Sequence, residues 1–193
     1  VLHDGPFRQR VQRIFLGTPV EIFVNPEPAV VRYFEEEARE GRPVTAHMLA
    51  TGVPLVGAND PQYVALCRTA QGHLDTAPSW SDGELTQARY GAATLVEDAL
   101  DRRFHDPHTA LRILANAMDA TLAYWFKQRG RYIPHSKQIL PELESLDASL
   151  AALFRSFWSE DPIDRRWAAA LEVADRVLDA RGFFEWESDR QAC

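Results

Sequence analysis

The chain has 193 residues, 46% of them hydrophobic and 25% charged, the balance of an ordinary globular protein with one ample core or two small domains. A formal net charge of -7 disfavours nonspecific nucleic-acid binding and leaves a cationic small-molecule substrate open. The two cysteines, Cys67 and Cys193, have no partners at metal-ligand spacing, and no apolar run or basic leader suggests a membrane partner or secretion. A reduced, cytoplasmic chain is therefore expected. Its first residue is Val1 rather than Met, which reads as a fragment or a processed chain.

In chain order, the spacing predicts a β-hairpin over residues 8–25, punctuated by Gly17-Thr18-Pro19. Alternation puts Val20, Ile22 and Val24 on one face and Glu21 and Phe23 on the other, with Glu21 either at a solvated edge or placed for function. A helix over 28–40 turns Val30, Val31 and Phe34 inward and Glu35-Glu36-Glu37 towards solvent, and a short helix over 45–50 ends at Gly52. Val53-Pro54-Leu55-Val56 reads as an edge strand or an extended link.

Beyond it the helix starts are well marked. Asp60-Pro61, Asp106-Pro107 and Asp161-Pro162 pair a capping carboxylate with a residue that lacks an N–H to satisfy, and Ser81-Asp82-Gly83-Glu84 is a capping box. Helices are predicted over 61–76, 82–104, 108–128, 137–146, 148–158 and 162–181. The stripe Leu111, Leu114, Met118, Leu122, Trp125 and the stripe Ile163, Trp167, Leu171, Ala174, Leu178 both follow the helical period. The aromatic end, from Phe183, is expected to fold back on the bundle, with its polar tail fraying. The division expected is a strand-containing unit over 1–57 and a helical bundle over 58–193.

Several residues are candidates for chemistry. Lys137 follows a Pro134-containing turn and is expected to open a helix, where free N–H groups and the dipole favour a polyphosphate; the plainer alternative is a surface lysine. Glu97 and Asp101 share a helix face with Tyr90, and beside Asp98 they form an acidic cluster suited to orienting or deprotonating an acceptor, or else a solvated face paired with Arg102 or Arg103. His105 and His108 flank Asp106 without a further metal ligand and read as loop residues, while His47 and His73 read as half-buried or capping.

The run Gly130-Arg131-Tyr132-Ile133-Pro134-His135-Ser136-Lys137, after the helix containing Trp125, resembles the elbow in the helical domain of aminoglycoside nucleotidyltransferases and related nucleotidyltransferase-domain proteins. Arg89-Tyr90 with Glu97-Asp98-Ala99-Leu100-Asp101 is similar to the preceding helix of that family, and Val20 to Pro26 to the last strand of its catalytic domain. The resemblance implies an α+β, predominantly α chain, in which a hairpin remnant of a nucleotidyltransferase domain precedes a bundle that closes the substrate cleft. It implies ATP as donor and Mg²⁺ held by strand carboxylates, two of them after a Gly-Ser turn that this sequence lacks and that is expected before Val1. By the same resemblance Glu21 is the metal-binding and catalytic carboxylate and Glu97 a second catalytic one. Lys137, Ser136 and Tyr132 would then meet the nucleotide, and Asp98, Asp101 and Trp125 a small-molecule acceptor. An upstream catalytic half or a protein partner would complete the protein. The alternative is a helical interaction module of HEPN-like type, a toxin–antitoxin partner without its own catalysis, suggested by the bundle and the missing catalytic half; Arg102 to His108 also fits the loose arginine-to-histidine spacing of HEPN domains, which the bundle resembles.

Overall fold

The computed structural model describes residues 1–159 and 162–188. It divides into two compact units, Val1–Pro78 and Ser79–Cys193. The fold is α+β and mostly α: an N-terminal hairpin followed by helices.

In the first unit, β1 (Gln9–Phe15) pairs antiparallel with β2 (Thr18–Val24), with Val11 opposite Ile22 and Arg10 opposite Phe23. Leu16 and Gly17 link them with φ of 47° and 81°, the positive pair that a two-residue hairpin turn needs to match the strand twist. Three helices follow, α1 (Glu27–Glu40), α2 (Val44–Thr51) and α3 (Pro61–Asp75). Their core is small: Val30, Phe34, Ala46, Leu66 and Ala70. Asp60 caps α3, accepting from the Gln62 and Tyr63 N–H groups at 2.9 and 3.1 Å.

Four details of this unit depart from the sequence reading. Leu66 and Ala70 of α3 pack with α1 and α2, so the compact unit runs to Pro78, past the expected division at 57. Glu37 is half-buried rather than solvated. Pro43 precedes α2 and offers no capping side chain, so the Glu37 carboxylate accepts from the Thr45 N–H (2.6 Å) and hydroxyl (2.8 Å) instead. Val31 is 38% exposed and His47 is exposed, each lying just off the buried stripe of a short helix. Two readings hold: Val53 to Val56 form an exposed link, the second of the two alternatives, and His73 is half-buried, against the Phe34 ring at 5.4 Å.

The second unit holds α4 (Asp82–Arg102), α5 (Pro107–Lys127), α6 (Ile139–Leu146), α7 (Ala148–Ser159) and α8 (Ile163–Leu178). The capping box forms: the Glu84 N–H donates to the Ser81 hydroxyl at 3.3 Å, and the Ser81 N–H to the Glu84 carboxylate at 2.8 Å. Asp106 caps α5 through the Thr109 N–H at 3.1 Å. The third Asp-Pro start involves Asp161, which lies outside the described residues.

Ala92, Ala93, Val96 and Ala99 give α4 a small-residue face, so α5 approaches closely and seats Leu114, Met118, Leu122 and Phe126 in the core. Phe154 and Phe157 of α7 and Trp167, Val173 and Leu178 of α8 close it. Ile163, expected on the α8 stripe, is 41% exposed at the helix start. Each fully buried Leu or Phe contributes about 1.5–3 kcal/mol. Among the described residues no buried side-chain polar atom lacks a hydrogen bond.

Candidate functional site

On the hairpin, Glu21 is exposed. Its Oε1 lies 2.7 Å from Arg10 Nε and accepts from Gln12 Nε2 at 3.0 Å, both across the strand pair. A guanidinium on one carboxylate oxygen competes with a cation there. Among the described residues no group of three or more Asp, Glu, His or Cys side chains converges as a metal site. The residues present therefore do not fit the Mg²⁺ cradle that the resemblance implies, and Glu21 is an ion-paired surface group.

On α4, Asp98 and Asp101 are exposed and Glu97 is half-buried. The half-burial has a cause the sequence did not show. After α8 the chain turns at Asp179 (φ 50°) and Gly182 (φ 124°) and runs across α4. A Cβ on Gly182 would stand 3.2 Å from the Glu97 Cβ, so the strap lies directly on that residue. Arg89 fastens it: its Nε–H donates to the Leu178 carbonyl at 2.6 Å, and its guanidinium covers the Phe184 ring at 4.3 Å. Tyr90 meets Trp186 at 5.0 Å. The aromatic end thus folds back as expected, and the residues after 188 lie outside the described part.

At the elbow, Gly130 takes φ 61° and the Arg131 N–H returns to the Phe126 carbonyl at 3.1 Å, ending α5. Ile133 is buried and anchors the turn. Lys137 does not open α6: it sits in the preceding turn, exposed, with its N–H donating to His135 Nδ1 at 3.3 Å, and Ile139 is the first helical residue. Pro141 lies in that first turn and removes one N–H from it. Ser136 is exposed and Tyr132 half-buried, and burial raises the Tyr132 phenol above its ordinary pKa. Trp125 is 3% exposed, packed edge-on against Phe126 at 5.0 Å and covered by Arg129 at 4.0 Å, which makes it core rather than acceptor-facing.

Between α6 and α7 stands a carboxylate that the sequence reading passed over. Asp147 caps α7 through the Leu150 N–H at 3.0 Å and takes both its oxygens to Arg176 at 2.8–2.9 Å. Burial opposes its ionisation, but the Leu150 N–H, the Ser149 hydroxyl and Arg176 together hold its carboxyl below the usual range. Arg129 feels the same Asp147 and Arg176, and burial pulls its pKa down.

A groove of about 590 Å³ lies in the first unit, between the hairpin, α1 and α2. Val30, Tyr33 and Glu37 line it from one stripe of α1, and Val44, Thr45, Met48 and Leu49 from one stripe of α2. Phe23 and Arg10, on the same face of the hairpin as Glu21, complete it with Arg8. The signal for it was the unusual exposure of apolar residues on the short α2, where Val44 and Met48 are 50% and 51% exposed.

The sequence matches no protein-family model and no curated protein sequence. The structure is similar to the crystal structure of a nucleotidyltransferase-like protein from Exiguobacterium sibiricum 255-15, with a TM-score of 0.53 and 13% sequence identity. The match covers 89% of this chain and 57% of that one, so this chain spans little more than half its neighbour's length. At that identity the likeness is one of fold: a nucleotidyltransferase-like arrangement, with no substrate attached to it. No helix among the described residues is long and apolar enough to cross a membrane.

Proposed function

We propose that this chain belongs to a nucleotidyltransferase-like protein and supplies the helical domain that closes over a small-molecule acceptor, with ATP as donor and Mg²⁺ as the metal. The observation that carries the reading is the fold likeness over 89% of the chain. In this reading the exposed Asp98 and Asp101 draw a hydroxylated, aminated acceptor to α4, and Glu97 could orient its hydroxyl and take its proton only where the strap over it gives way. Lys137 and Ser136 meet nucleotide phosphate from the elbow turn.

The test is calorimetry of the chain with an aminated acceptor such as an aminoglycoside, at low and high salt. Binding should weaken with salt and fall about tenfold when Asp98 and Asp101 both become Asn, the loss of two nearby attractive charges. Acceptor binding that ignores both acids would remove the reading.

One observation favours the alternative, a HEPN-like helical interaction module. Arg102 ends α4 and His108 lies in the first turn of α5; hydrogen bonds with Thr109 come first in holding the Asp106 carboxyl below the usual range, and both residues stand close enough to help. Stable co-elution with a second protein, abolished by His108→Ala with no change in acceptor binding, would favour this alternative.

A further inference from the structure

We propose that the groove between the hairpin, α1 and α2 is a binding site for a small amphipathic carboxylate. The inference is independent of the nucleotidyl-transfer reading. The floor is apolar because Val30, Phe23, Met48 and Leu49 face it, and Met48 has no further element packed over it. At about 590 Å³ the groove has the size of small-molecule sites, which span roughly 300–1,000 Å³.

Its charges are unequally committed, and the Val1 ammonium, which also lines it, donates to the Phe23 carbonyl at 2.7 Å. Glu37 spends its two oxygens on the Thr45 N–H and hydroxyl. Arg10 lies on the Phe23 ring at 4.5 Å and is paired with Glu21 at 2.7 Å. Arg8 lies over the Tyr33 ring at 5.2 Å and has no carboxylate partner among the described residues. The contact with the Tyr33 ring sets the guanidinium beside the groove, and among the described residues its N–H groups have no hydrogen-bond partner. One planar fork matches one carboxylate in a bidentate pair. A guanidinium without a carboxylate partner beside an apolar trough selects an acid with an apolar body over a cation or a neutral molecule, locally and against the chain's net charge of -7.

The experiment titrates the chain with 2-naphthoate and with decanoate, followed by amide chemical shifts, and repeats both with the matching alcohols, 2-naphthalenemethanol and decanol. The two arms separate an aryl from an alkyl body. At least one acid should bind about tenfold or more tighter than its alcohol, with shifts centred on Tyr33 and Met48. Arg8→Gln should erase that preference and leave alcohol binding unchanged. Met48→Trp, at a half-exposed position that tolerates bulk, should block both ligands without lowering Tm, whereas Arg13→Gln, outside the groove, should change nothing. Absence of binding by either acid, equal binding of acid and alcohol, or a preference that survives Arg8→Gln would each overturn the proposal.

Discussion

Gly182 rests on Glu97. A side chain at 182 would have its first carbon 3.2 Å from the Glu97 Cβ and 3.4 Å from its Cα, and the glycine holds φ 124°, a conformation L-residues avoid. The strap after α8 can lie on α4 because this one residue has neither a side chain nor a conformational objection.

Gly182→Ala should therefore combine backbone strain with a steric conflict at a helix backbone. The expected cost is about 1–3 kcal/mol, with the strap displaced before the bundle unfolds. Trp186 fluorescence should shift towards its solvent-exposed value in the variant under native conditions. Unchanged emission with an unchanged unfolding midpoint would show that the strap does not depend on this contact.

Arg89→Met keeps the length of the side chain and removes the charge-assisted bond to the Leu178 carbonyl. It should cost about 1.5–3 kcal/mol in urea unfolding, the range for hydrogen bonds to charged groups. The α8 end should gain amide exchange at residues 178–182 while the α4–α5 interior stays protected.

The acid limb of stability should report Asp147. Its folded-state pKa lies below the unfolded value of about 3.9, so its contribution is complete above that value and is lost as pH falls through the lower folded one. Asp147→Ala should cost about 0.5–2 kcal/mol at neutral pH through the lost α7 cap. The gap between variant and parent should narrow as the pH of urea unfolding drops below 4.

Glu21→Gln should change stability by less than about 0.5 kcal/mol, since it breaks only an exposed ion pair. It should also leave Mg²⁺ titrations of the chain unaltered. A Mg²⁺ affinity that disappears with this substitution would restore Glu21 as a ligand.

Leu114→Ala, at a position with 0% exposure between α4 and α5, should cost about 2–5 kcal/mol by transfer loss and cavity. Thermal unfolding of the second unit, followed by Trp167 fluorescence, checks it.

Local chemistry was legible from the residues in order. Asp60, Ser81-Glu84 and Asp106 cap the helices they were expected to cap, because a cap is settled within four residues and needs no distant partner. The hairpin and the stripe from Leu114 to Trp125 were legible for the same reason: periodicities of two and of 3.6 are written along the chain. Tertiary structure alone decided which groups meet. It brought Glu37 to α2, drew α3 into the first unit, fixed the strap on Glu97 and gathered Arg8, Tyr33 and Met48 around one groove. These contacts join residues far apart in sequence, and the free energy that selects them comes from surfaces that exist only once the helices have packed.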